Sequence, residues 1–201
     1  MKVFCLGEGN KNYSCKAYLI LGDWNSLNDV NTLVDVGVDD WIVQEIEGIS
    51  TGVGKRPVEQ IILTHSHHDH AGGLTAVKAK YGCKALAFSE YNGVDELLRE
   101  GQRVRMGDRD FEVVPTPEHS SDSICLYCEE EGVIFTGDNP VKIMTAGGSY
   151  SRAYVQVLER LVRRRITTIY PGHDEPVTEK AKDLLRRTLQ NVQTSEILRL
   201  F

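Results

Sequence analysis

Short apolar, β-branched runs bounded by turn residues dominate the first two thirds of the chain, and helical spacing takes over in only a few stretches. Residues 2–6, 16–21 and 32–36 read as strands, separated by the turn-rich segments GEGNKN and GDWNSLND. A helix-like stretch follows over about 40–49. VEQIILT at 58–64 reads as a buried strand that ends at His65. Ala71-Gly72-Gly73 then signals a turn into an amphipathic stretch from Leu74 to Tyr81. Beyond it the pattern predicts a strand at 84–88, a short helix at 94–99, and strands at 103–106, 111–114, 123–128 and 133–136. Residues 150–164 form a predicted helix with Val155, Leu158, Leu161 and Val162 on one face. A last strand covers 166–170. From Thr178 to the end a helix is expected, with Ala181, Leu184, Leu185, Thr188, Leu189 and Val192 inward. Strands followed by a helix, repeated at the same scale, predict two sheets packed together with helices outside.

At 201 residues and 41% hydrophobic, the chain can bury a full core as a single domain spanning 1–201. A net charge of −6 weakly disfavours nucleic acid and anionic membranes as partners. The longest apolar run, Ala17 to Leu21, falls far short of a membrane span, and MKVFCLGEGN lacks the apolar segment of a signal peptide. A cytoplasmic location is therefore expected. Five cysteines without a secretory signal predict reduced thiols. Cys125 and Cys128 match C-x-x-C, but their flanks read as a strand, where residues three apart face opposite sides. They are expected to fill the core. The apolar end Leu198-Arg199-Leu200-Phe201 is expected either to dock on the core or to pair with a second copy as a homodimer.

The histidines change the picture. Five of the six fall where a metal-dependent hydrolase needs them. Thr64-His65-Ser66-His67-His68-Asp69-His70 is an H-x-H-x-D-H run. Side chains two apart on an extended chain point the same way, so His65 and His67 can converge on one ion. The turn that follows can bring Asp69 and His70 round to a second. His119 and His173 sit in Pro- or Gly-marked loops, and Asp138 lies between them in Thr136-Gly137-Asp138. Each of these ligand candidates follows a predicted strand, the usual place for a site built on a scaffold. Imidazole with carboxylate suits zinc, iron or manganese, and no thiolate is needed.

With these residues in hand, the chain resembles the metallo-β-lactamase superfamily over nearly its whole length. The likeness rests on THSHHDH at 64–70, His119 in TPEHS, Asp138 in TGD, His173 in YPGH and Asp35 in LVDVG. It implies an α/β (α+β) class fold, a four-layer αββα sandwich. It also implies two divalent ions, zinc first, with iron or manganese as alternatives. Residue by residue, His65, His67 and His119 would hold the first ion, and Asp69, His70 and His173 the second. Asp138 would bridge both. Asp35 would orient a ligand histidine or serve as a simple turn carboxylate.

Among relatives the ligand set looks most like the short glyoxalase II-like members. Asp138 stands where cysteine-using lactamases would place their thiolate. Glu118 departs from the glycine that usually precedes the third histidine, and is expected to face solvent. The chain after His173 has room for one helix only, so the glutathione contacts of full-length glyoxalase II are not carried over. The resemblance implies a small-molecule substrate and hydrolysis of its thioester, or of a related ester or lactone, by a metal-bridging hydroxide. In that chemistry Asp69 and Asp138 are the catalytic carboxylates. A mononuclear iron persulfide dioxygenase and a phosphodiesterase of the same superfamily are the alternatives. The loop 139–152 is expected to form the lip of the site as an ordinary solvated loop. There Gly147-Gly148 suggests mobility, and Lys142, Tyr150 and Arg152 are candidates to meet a substrate carboxylate. The arginines at 160 and 163–165 are expected to complement a helix dipole.

Overall fold

The computed structural model describes residues 1–198, and the chain divides into two compact units, Met1–Val113 and Val114–Phe201. Arg199, Leu200 and Phe201, the end of the expected apolar tail, lie outside the described residues.

In the first unit, strands β1 (Lys2–Leu6), β2 (Ala17–Leu21), β3 (Thr32–Val34), β4 (Gln60–Ile62), β5 (Lys84–Ala87) and β6 (Glu96–Leu97) form one sheet in chain order. β1, β2 and β3 pair antiparallel, whereas β3 to β6 pair in parallel. Helices α1 (Trp41–Glu47) and α3 (Leu74–Tyr81) lie in the crossovers of the parallel β3–β4 and β4–β5 pairs. Ala17, Leu19 and Leu21, alternate residues of β2, pack with Ile42 and Ile46 of α1 and Leu74 and Val77 of α3. A one-turn helix α2 (His68–Ala71) lies between β4 and α3, and the hairpin β7 (Arg103–Met106) with β8 (Arg109–Pro115) closes the unit. The short helix expected at 94–99 is instead strand β6. Asp95 explains the change: its carboxylate accepts from Ala85 N at 2.7 Å and from Lys78 Nζ, pinning this segment beside β5.

In the second unit, β9 (Ile124–Cys128), β10 (Val133–Gly137) and β12 (Thr168–Pro171) lie in the order β12-β10-β9, with β10 parallel to β12 and antiparallel to β9. Helices α4 (Arg152–Arg163) and α5 (Ala181–Gln193) pack on Tyr127, Ile134 and Ile169 through Val157, Leu161, Ala181 and Leu185. The inward face of α4 is centred on Tyr154, Val157, Leu158 and Leu161, so Val155 and Val162 lie at its margins rather than its middle. The final helix ends at Gln193, and strand β13 (Glu196–Leu198) pairs in parallel with β11 (Ser149–Ser151). Neither of these strands was legible, since they fall in or beside stretches that read as helix, 150–164 and 178 to the end. Of the basic cluster, Arg160 and Arg163 lie in the last turn of α4. Arg164 stacks 4.7 Å over the Tyr127 ring, and Arg165 donates to Glu130 O.

Candidate metal centre

Each unit gathers its own share of the expected ligands. In the first, β4 ends before His65, and the chain stays extended through His67, whose φ and ψ are −62° and 147°. α2 then starts, with Ala71 N bonded to His67 O at 2.9 Å. The extended part brings the His65 and His67 rings to 4.6 Å, and the helical turn brings His70 to 4.2 Å from His65. Asp69 Oδ2 stands 4.0 Å from His70 Nε2. His68 points outward as a spacer and is exposed.

Asp35 fixes this arrangement. It is buried, in the left-handed region at φ 57°. Its Oδ1 accepts from Thr64 N at 2.7 Å and its Oδ2 from Thr64 Oγ1 at 2.8 Å. The same Oδ2 lies 2.8 Å from His70 Nδ1, so the carboxylate orients the ring and leaves Nε2 to face Asp69. Val36 N bonds His70 O at 2.9 Å and Gly73 N bonds Gly37 O at 3.0 Å, so LVDVG is stitched to the histidine run by backbone as well. Cys15 completes this cluster: its Sγ lies within 4.8 Å of ligand atoms of Asp35 and His70. Burial pushes its thiol up to about 11, and a hydrogen bond to His70 partly offsets that. Sequence reasoning missed Cys15, because nothing near position 15 resembles a ligand motif.

In the second unit, β10 ends in a register shift between Phe135 and Gly137, and Gly137 is left-handed at φ 50°. This bulge re-aims the chain so that Asp138 leaves the strand end. Gly137 O accepts from Gly172 N at 2.8 Å, which ties the Asp138 turn to the residue before His173. Asp138 Oδ2 consequently lies 3.4 Å from His173 Nε2 and 3.6 Å from His119 Nε2. Both separations exceed a good hydrogen bond. Two ligands at ~2.1 Å from one tetrahedral ion stand ~3.4 Å apart, so the donor set and its spacing fit a divalent metal. The three residues open onto a cleft of about 270 Å³ that Pro140, Val141 and Lys142 also line.

A family model for the metallo-beta-lactamase superfamily matches residues 12–93 and 86–173. The chain belongs to the metallo-β-lactamase superfamily. Hydroxyacylglutathione hydrolase of Polaromonas sp. is 34% identical over 128 residues, 58% of this chain and 49% of that protein. Atrochrysone carboxyl ACP thioesterase of Aspergillus fumigatus is 28% identical over 209 residues, 90% of this chain and 49% of that protein. The chain thus spans about half the length of these curated relatives. A metallo-beta-lactamase family protein from Thermus thermophilus superposes with a TM-score of 0.69 at 18% identity, covering 95% of this chain and 79% of that one. The likeness is one of fold, and the α/β metallo-β-lactamase fold expected from the sequence is the one present.

Beyond the candidate ligands, the lip of this metallo-β-lactamase-superfamily chain has contacts its sequence did not show. Gly147 N bonds Ser195 Oγ at 2.8 Å, Glu196 N bonds Gly148 O at 3.2 Å and Ser149 Oγ bonds Glu196 Oε2 at 2.6 Å, so the glycine pair is tied to the segment that leads into β13. Lys142 faces Asp174 at 3.6 Å, and the Tyr150 ring packs 6.0 Å from that of Tyr154. Arg152 opens α4 and is exposed. Glu118 does not simply face solvent. Its Oε2 accepts from Ser151 Oγ at 2.6 Å. Cys125 and Cys128 are buried in β9, as a core role requires. No helix among the described residues is long and apolar enough to cross a membrane.

Proposed function

We propose that this chain is a metal-dependent hydrolase of thioesters, or of related esters or lactones, with a small-molecule substrate. In this reading His65, His67, Asp69 and His70 of the first unit and His119, Asp138 and His173 of the second supply the ligands of two divalent ions, zinc first. The observation that carries it is Asp138: one carboxylate oxygen within 3.6 Å of two histidine nitrogens, as a shared ligand would be. The hydroxyacylglutathione hydrolase and thioesterase relatives support the thioester as the bond cleaved.

Such ions, when bound, supply a water of lowered pKa and an electrophile for the carbonyl oxygen. The protein's own part is positional. Asp69, half-buried and 4.0 Å from His70 Nε2, would accept a hydrogen bond from the attacking water. Asp35 holds His70 in one ring orientation, and the Gly137–Gly172 bond keeps Asp138 beside His173. A covalent acyl-enzyme finds no support. The Ser120 hydroxyl is engaged by Asp122 at 2.6 Å and Ser123 at 2.7 Å, and the Cys125 thiol is buried.

Metal content by elemental analysis, measured beside hydrolysis of a lactoylglutathione-type thioester, tests the reading. Two metals per chain with turnover are expected. One iron per chain with oxygen consumption and no hydrolysis would sink it in favour of persulfide oxidation.

A further inference from the structure

Hydrogen bonds link the first turn of α4 to each of two candidate ligand loops. In one loop stands Glu118, the residue before His119. The Ser151 hydroxyl accepts from Tyr154 N at 3.1 Å, so its single proton is directed to Glu118 Oε2 at 2.6 Å. Ser151 N adds a second bond to the same carboxylate at 3.2 Å. A carboxylate is favoured there, because α4 runs for 12 residues and its N-terminus carries the positive end of the helix dipole. The turn that holds His119 is itself stiff, with Thr116 N bonded to Ser123 O at 2.8 Å and Ser120 N to Ser123 Oγ at 3.2 Å. A pull on Glu118 is therefore passed to His119.

In the other loop stands Pro140, two residues past Asp138. The Tyr154 ring is fully buried, and its hydroxyl donates to Pro140 O. Asn139 N closes the intervening turn on Thr136 O at 3.0 Å. Glu118, Ser151, Tyr154 and Pro140 thus complete a circuit from one ligand loop, through a helix end, to the other.

We propose that the first turn of α4 is a brace that sets the separation of His119 and Asp138, with Glu118, Ser151 and Tyr154 as positioning residues. The inference rests on the metal-ligand role proposed above for His119 and Asp138. It goes beyond that role by assigning a task to three residues outside the candidate ligand set. It also explains why a glutamate can stand before His119, since a glycine there would leave α4 unlinked to the loop.

The test uses the full-length chain loaded with zinc and challenged with a chelator, together with the Tm of zinc-free and zinc-loaded forms. Glu118→Ala and Tyr154→Phe are each expected to weaken zinc retention about tenfold, in the range for residues that orient ligands. The double variant is expected to be little worse than either alone, since both cut one circuit. Ser151→Thr, which keeps the hydroxyl, is expected to match the wild type. Wild-type zinc retention in folded Glu118→Ala and Tyr154→Phe would overturn the brace, even if the Tm of the zinc-free forms fell, because a purely structural cap moves only that. Should Glu118→Ala not fold, Tyr154→Phe carries the same comparison, since it keeps the shape of the side chain and removes only the hydroxyl that reaches Pro140. A wild-type chain that takes up no zinc would instead overturn the ligand assignment itself.

Discussion

Asp35 Oδ2 lies 2.8 Å from His70 Nδ1, and that contact fixes which ring nitrogen of His70 faces Asp69. Asp35→Asn keeps the left-handed backbone tolerable, since Asn accepts φ > 0 better than most residues. It removes the charge that orients the imidazole. Zinc affinity, measured by chelator competition, is expected to fall about 10- to 100-fold with little change in secondary structure.

Gly72 and Gly73 have ordinary helical φ, −59° and −75°. Their requirement is space. A Cβ on Gly73 would lie inside contact distance of Asp39 O and 3.0 Å from Val36 O, and one on Gly72 would lie 2.6 Å from His68 O. Gly73→Ala is expected to cost about 1–3 kcal/mol or more through backbone shifts. Urea unfolding checks this. An unchanged midpoint would mean that the LVDVG segment yields easily.

Burial pushes the Cys125 thiol from its usual 9.0 to about 12. In the unfolded chain it ionises near 9, whereas in the folded chain it stays neutral until about 12. Its contribution is thus fully present below pH 9 and is lost as the pH rises towards 12. Native Cys125 is expected to resist alkylation at pH 8 and to react after unfolding. Rapid native labelling, located by peptide mapping, would contradict the burial.

Phe135 is fully buried in β10 and stacks on Tyr170 of β12 with ring centroids 4.9 Å apart. Phe135→Ala is expected to destabilise by about 3–5 kcal/mol. Because β10 ends at the Asp138 turn, zinc retention should fall with it, and Phe135→Leu should restore much of both. Calorimetry with and without zinc separates the two effects.

The candidate ligands could be picked out because metal chemistry restricts residue type and because each ligand-bearing segment follows an apolar run, as His65 follows VEQIILT. Helix α3 was legible to its bounds, Leu74 to Tyr81, since a glycine pair precedes it and a left-handed Gly82 ends it. Contacts distant in sequence were the part that could not be read. Residues 94–99 have helical spacing, yet a sheet edge and Asp95 make them extended. Glu118 looked like a solvent-facing departure because its partner, Ser151, is 33 positions away. The roles left open for Asp35 needed the structure for the same reason: His70 is 35 positions away.

The H-x-H-x-D-H run changes backbone conformation in its middle, extended up to His67 and helical from His68. Its spacing is therefore two rulers laid end to end: a period of two for His65 and His67, and a fraction of a helical turn for Asp69 and His70. An inserted residue before His67 would swing one histidine to the opposite face, and one after it would rotate the last two ligands by about 100°. The number of letters between the candidate ligands therefore matters as much as their kind. The motif is less a list of residues than a measured length of chain.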